Sequence, residues 1–219
     1  MEEKKNPPLY GRFLGRLTRP FPDFDFSFIK PVRQRAVELL NLKPGDRVLD
    51  VGCGPGGSFP FLVPAVGSSG KVVGVEISRE VSINARKRIA RNRWENVELI
   101  EAAAQEVHLT GTFDGLLMFA AADVYASEEA LENILPHVKG DACVAAFGAK
   151  FSSNYLARMF NPFLELLFKL ISSTTPRPDY EPWRLLAKYV EGLEVKEYFF
   201  GLMFLASGRV SKKRLSNRC

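Results

Sequence analysis

The sequence predicts an α/β fold: a doubly wound, mostly parallel seven-stranded sheet with helices on both faces, closed by a C-terminal antiparallel hairpin. Three observations predict it. From about Arg47 onward, apolar runs of strand length alternate with segments of helix length, the pattern of a parallel sheet covered on both sides. A glycine-rich turn, Gly52-Cys53-Gly54-Pro55-Gly56-Gly57, follows the first strand. Near the other end, two β-prone runs are separated only by Phe200-Gly201, a connection that suits an antiparallel pair.

In chain order, Val32–Leu42 reads as an amphipathic helix stopped by Lys43-Pro44-Gly45-Asp46. Strands are predicted at 47–51, 71–77, 96–100, 113–119 and 142–149, with helices at 58–66, 79–93, 127–138 and within 151–190. Ser78 and Ser127 stand at N-cap positions, and Glu128 and Glu129 suit the positive end of a helix dipole. Pro60 and Pro64 predict a short or bent first helix, because a proline beyond the first turn removes an internal hydrogen bond. Leu193–Phe199 and Leu202–Ser207 form the hairpin. Three regions result: an aromatic and basic segment with its helix (1–42), acting as a lid or docking element; the main domain (43–210), with 151–190 as a helical cover over the substrate; and a basic tail (211–219) expected to be mobile.

With 46% hydrophobic residues in 219, the chain builds a real core, so disorder as its main state is excluded. It contains no run of about 18 apolar residues, and Met1-Glu2-Glu3-Lys4-Lys5 lacks a secretory apolar stretch; a cytoplasmic protein, with possible contact at a membrane surface, is the expectation. The three cysteines, Cys53, Cys143 and Cys219, form no CxxC pair, which argues against a disulfide framework or a zinc site, and no metal is expected. A net charge of +5 permits attraction to nucleic acid or anionic lipid without selecting either.

Asp50 ends the first strand, and the glycines after it let the backbone turn sharply and approach a ligand closely. Gly52, Gly54 and Gly57 also satisfy G-x-G-x-x-G, so the spacing alone equally fits dinucleotide binding. Glu76, 20 residues past Gly56 at the end of the second strand, stands where a carboxylate accepts hydrogen bonds from ribose hydroxyls.

Through Val48-Leu49-Asp50-Val51-Gly52-Cys53-Gly54-Pro55-Gly56, Val73-Gly74-Val75-Glu76, Asn96–Ala104 and Phe113-Asp114-Gly115, the sequence resembles the class I S-adenosylmethionine-dependent methyltransferases. The resemblance implies S-adenosyl-L-methionine as cofactor, S-adenosyl-L-homocysteine as product and the Rossmann-like fold with its closing hairpin. It also implies that Asp50, Gly52, Cys53, Gly54 and Gly56 line the methionine moiety, Glu76 the ribose, Ile77 the adenine face and Ala103-Ala104 the adenine edge. Ala103 departs from the aspartate common at that place, so backbone or Gln105 would read the adenine amino group; Phe119 completes the expected cofactor set. Within the family, the wording of the motifs is most similar to the group of quinone-biosynthesis C-methyltransferases and phospholipid N-methyltransferases.

An activated sulfonium needs mainly an aligned nucleophile and exclusion of water. Ligands of open parallel sheets sit beyond the carboxyl ends of the strands, which sets His108 and His137 at the wrong edge. Asp123, Tyr125 and Tyr10 are the catalytic candidates, with Lys150 and Tyr155 nearby; Asp123 could orient an amine or accept a proton. The aromatic stretches 21–28 and 151–168 could cover a hydrophobic acceptor or simply pack. Arg12, Arg16 and Arg19, opposite Leu9, Phe13, Leu14 and Leu17, suit an anionic membrane surface.

Asn6-Pro7-Pro8-Leu9-Tyr10 resembles the N-P-P-aromatic motif of DNA amino-methylating enzymes, but its inserted leucine breaks the match and no DNA substrate is expected. The basic run Arg86-Lys87-Arg88, Arg91 and Arg93 reads as a solvated helix face, which leaves RNA without support. The expected reaction is N- or C/O-methylation of a small, hydrophobic or lipid-like acceptor. The alternatives are an NAD-linked oxidoreductase and a non-catalytic cofactor-binding module.

Overall fold

The computed structural model describes residues 27–151, 159, 161–162 and 181–211. Seven strands form one sheet in the order β3-β2-β1-β4-β5-β7-β6: β1 (Arg47–Val51), β2 (Lys71–Glu76), β3 (Val97–Glu101), β4 (Phe113–Phe119), β5 (Val138–Ala149), β6 (Val190–Tyr198) and β7 (Met203–Val210). The first five run parallel, and β7 pairs antiparallel with both β5 and β6. The central strands are apolar on both faces because both faces are covered: Val48 packs with the helices on one side and Leu49 with those on the other.

Helix α1 (Lys30–Leu39) begins two residues before the predicted start, with Pro31 in its first turn, where a missing N–H costs nothing. Helix α2 (Phe59–Val66) is short, as Pro64 inside it requires, whereas Pro60 falls in the tolerated first turn. Ser78 caps α3 (Arg79–Asn92) by accepting from Val81 N–H, and Ser127 caps α5 (Glu128–Ile134) by accepting from Ala130 N–H at 3.2 Å.

Other boundaries differ from the sequence reading. A one-turn helix, α4 (Ala122–Tyr125), follows β4. The helix predicted to run to 138 ends at Ile134, and Pro136 forces a 3-10 turn over Leu135–His137. Strand β5 begins at Val138 rather than 142; Lys139 and Asp141 hid its start, and the ladder with β4 is irregular between Phe113 and Gly115. The hairpin closes at Tyr198–Met203, so its loop has four residues rather than the expected two. Ser211, assigned to the mobile tail, is buried, its N–H donating to Tyr189 O at 3.0 Å and its hydroxyl to Glu191. The rest of the tail lies outside the described residues.

Antiparallel pairing of β7 with β5 sets Met203 beside Ala149, which puts the hairpin turn at the same edge as the carboxyl ends of the parallel strands. At that edge Gly148 receives the Tyr125 side chain: a Cβ there would lie 2.0 Å from the Tyr125 hydroxyl. Gly148→Ala should therefore lower stability by about 1–3 kcal/mol through overpacking, read as a drop in the urea midpoint at unchanged m-value.

Candidate functional site

The carboxyl end of β1 runs into a turn in which Gly52, Gly54 and Gly56 all adopt positive φ, at 71°, 59° and 77°. A side chain at Gly52 would strike Ala121 Cβ at 2.6 Å, and one at Gly56 the Phe59 ring at 2.6 Å, so packing demands both glycines. At Gly54 a Cβ would meet nothing within 4 Å among the described residues, so this point of the turn leaves room for a ligand. Gly52 N–H and Cys53 N–H both donate to Val75 O, at 2.8 and 3.0 Å, which clamps the turn to β2.

Glu76 ends β2 and completes the clamp. Its Oε2 accepts from Gly54 N–H at 3.0 Å and its Oε1 from Ser78 N–H at 2.8 Å. Burial raises its pKa, opposed by the backbone hydrogen bonds from Ser78, Gly54 and Ile77.

Asp50 is the most unusual group here. It is fully buried at the end of β1, and neither carboxylate oxygen has a hydrogen-bond partner among the described residues. Burial pushes its pKa from the ordinary 3.8 up to about 7, although the Arg33 guanidinium and then the Ser58 hydroxyl pull it down, while Glu76 adds to the rise. The Ser58 hydroxyl thus acts on the carboxylate by proximity, without the geometry of a hydrogen bond. Buried polar groups in folded chains are nearly always paired, so the unpaired Asp50 carboxylate marks this strand end as a candidate ligand site.

Arg33 was absent from the sequence-based site. It reaches in from α1, donates from Nη1 to Ser58 Oγ at 3.1 Å, and lies over the Phe119 ring, 4.2 Å from its centroid. Its guanidinium passes so close to Gly57 that a Cβ there would sit 2.9 Å away. The signal was present: Arg33 is in line with Ala36, Val37 and Leu40 at helical spacing, a cation within the buried stripe of α1.

The other expected cofactor residues fall at the neighbouring strand ends. Ile77 follows β2 and is half exposed; Ala103, Ala104 and Gln105 follow β3, the neighbour of β2. Gln105 is exposed and donates to Ser127 Oγ at 3.4 Å, whereas Ala104 is buried and its carbonyl accepts from Asn133. Cys53 is buried, and burial, then Asp50 and Glu76, push its thiol pKa well up, so it packs rather than reacts. Phe119 is buried between Arg33 and Phe147, stacking on the latter at 4.3 Å.

Asp123 is exposed in α4, just past the carboxyl end of β4. Tyr125 requires a correction: it is only 2% exposed, packed edge-on against Phe204 with its hydroxyl against Gly148, so it does not present that hydroxyl to an acceptor. Tyr10 and Tyr155 lie outside the described residues, as do most of 21–28 and 151–168. Lys150 is engaged by Glu197 and lies over Trp183. His108 and His137 sit at the amino-terminal edge of the sheet, remote from Asp50, as the strand-end rule predicts. Among the described residues no cluster of three or more His, Cys, Asp or Glu could hold a metal.

The family model for protein-L-isoaspartate(D-aspartate) O-methyltransferase matches residues 30–127, from α1 to the cap of α5. The crystal structure of a SAM-dependent methyltransferase from Aquifex aeolicus superimposes with a TM-score of 0.64, covering 94% of this chain and all of that one, at 21% identity. In fold the chain matches that methyltransferase structure, and over residues 30–127 its sequence matches a methyltransferase family model. A demethylmenaquinone methyltransferase of Bacillus cereus is 33% identical over 90 residues, 41% of this chain and 38% of that protein. A 23S rRNA (uracil(1939)-C(5))-methyltransferase of Alkalilimnicola ehrlichii is 33% identical over 116 residues, 51% of this chain and 25% of that protein. The chain thus spans only 24% to 38% of the length of these and other curated relatives.

Asp50 gives the methyltransferase fold a testable pH signature. Its folded pKa lies above its unfolded one, so the folded state binds the extra proton and stability falls as pH rises from about 4 to about 7. The span corresponds to about 4 kcal/mol at 1.36 kcal/mol per unit. Urea titrations at intervals across that window should show a steeper decline in the parent protein than in Asp50→Asn.

Proposed function

We propose that the protein transfers a methyl group from S-adenosyl-L-methionine to a small, hydrophobic or lipid-like acceptor. The observation that carries the reading is the unpartnered, buried Asp50 carboxylate beside the open Gly54. A methionine-bearing cofactor supplies a cationic amino end for Asp50, and its carboxylate suits Arg33, whose planar donors match carboxylate geometry. Glu76 offers its carboxylate to ribose hydroxyls, and the exposed Ile77 with Ala103 and Ala104 offers an apolar slot for a purine.

The bound cofactor would supply a methyl group already activated as a sulfonium. The chain's own task is then to hold and orient two partners, and Asp123, exposed just past the carboxyl end of β4, is the carboxylate we assign to orienting an acceptor or taking its proton. Similarity to the quinone-methylating relative and the apolar sequence of residues 151–168 favour a hydrophobic acceptor. The rRNA-methylating relative makes RNA the acceptor to test against it.

Calorimetry should show S-adenosylhomocysteine binding that weakens at least tenfold, about 1.4 kcal/mol, in Asp50→Ala and in Glu76→Ala. Tighter binding of NADH would favour an oxidoreductase instead. A turnover screen with labelled cofactor should transfer label to the quinone or lipid pool; label in RNA would overturn the acceptor class. Binding without any turnover would make the chain a cofactor-binding module.

A further inference from the structure

We propose that the outer face of α3, through Arg79, Arg86, Lys87 and Arg93, is an electrostatic docking surface for the phosphate backbone of a single-stranded nucleic acid. The surface goes beyond the acceptor proposed above: a strand held there anchors the protein whether or not it is methylated.

Positive charge is concentrated on this helix. Residues 79–93 contain six basic side chains and one acidic, a surplus of five that equals the net charge of the whole chain. Spacing alone reads this run as a solvated face; the fold adds where each cation goes. Arg88 is buried and donates to Gly56 O at 3.1 Å, and Arg91 is engaged in other contacts, so neither enters the row. Arg79, Arg86, Lys87 and Arg93 are exposed. Among the described residues Arg79, Lys87 and Arg93 have no acidic partner, and Arg86 has a loose contact with Glu101 at 3.7 Å. Glu80, the one acid of the helix, lies in its first turn and accepts from the Ser78 hydroxyl at 3.3 Å.

Folding does not account for the row. Arg79 opens the helix at the end whose dipole disfavours a cation. Arg93 closes it at φ 53°, in the left-handed conformation that Gly or Asn ordinarily takes at a helix end. Arg79 and Arg86 lie two turns apart on one face, Lys87 adjoins Arg86, and Arg93 extends the row to a rise of about 21 Å. The row begins beside Ser78, whose N–H is bonded to Glu76, so a strand bound along it would pass the edge of the cofactor site.

A polyanionic strand is the partner this charge complements. A bilayer is the poorer occupant, because a helix that lies in a membrane surface presents an apolar face to it, and the apolar face of α3, with Val81 and Ala85, is already buried in the fold. A protein partner is poorer too, since interfaces form around an apolar centre and the row has only Ile83 and Ala90 between its cations. A single row of cations tracks one flexible backbone, without reading its bases.

Fluorescence anisotropy of the full chain with a labelled single-stranded RNA of mixed sequence tests this. The logarithm of affinity should fall against the logarithm of salt with a slope of about −3, as roughly four neutralised phosphates at about 0.7 each require. Arg79→Gln, Arg86→Gln, Lys87→Gln and Arg93→Gln together should weaken binding at least tenfold and flatten that slope by about 2 or more. The urea midpoint should not fall in this variant, and S-adenosylhomocysteine binding should be unchanged. A second variant, Lys30→Gln, Lys43→Gln, Arg184→Gln and Lys196→Gln, removes the same charge from exposed positions elsewhere and should bind RNA nearly as the parent does. Equal losses in the two variants would reduce the effect to net charge and overturn the proposal, as would a parent that binds no RNA. A parent that binds phosphatidylglycerol vesicles instead of RNA would overturn it in favour of a membrane surface.

Discussion

The site depends on one electrostatic constraint: a carboxylate held fully buried at the end of the central strand, with no hydrogen-bond partner among the described residues. Burying such a group opposes its ionisation, and the fold tolerates it through the nearby Arg33 guanidinium and by letting the pKa rise. Much of the surrounding geometry follows. The Arg33 guanidinium crosses Gly57, Phe119 lies beneath the same guanidinium, and Ser58 accepts its hydrogen bond.

The second constraint is the way Glu76 joins the two halves of the site. By accepting from Gly54 and Ser78 it fixes the glycine turn against the start of α3, so a group bound in the turn and a group bound past β2 share one rigid frame. Packing at Gly52 and Gly56 stiffens the same turn from below, and only Gly54 is left facing outward. Preorganisation of this kind suits a reaction in which the protein aligns two partners around an already activated group.

The alternation of apolar runs was enough to read the parallel sheet and its closing hairpin, because strands buried on both faces leave an unambiguous record. Polar residues inside β5 and a proline in the helix before it blurred their boundary. The glycine turn and Glu76 were legible because their spacing is local. Arg33 was not singled out, since its function arises from α1 folding back over a turn about 20 residues later in the chain. Tyr125 was misread for the converse reason: it follows β4 at the proper edge, but packing against Gly148 turns it inward, which no local pattern reveals.

The central claim is that Asp50 is held ready for a cationic group. Titration of its carboxyl carbon by NMR in selectively labelled protein tests this most directly. In the ligand-free protein the signal should titrate near 7, and S-adenosylhomocysteine should move that midpoint downward as its ammonium group pairs with the carboxylate. A midpoint near 3.8 without ligand, or one that does not move when ligand binds, would contradict the account.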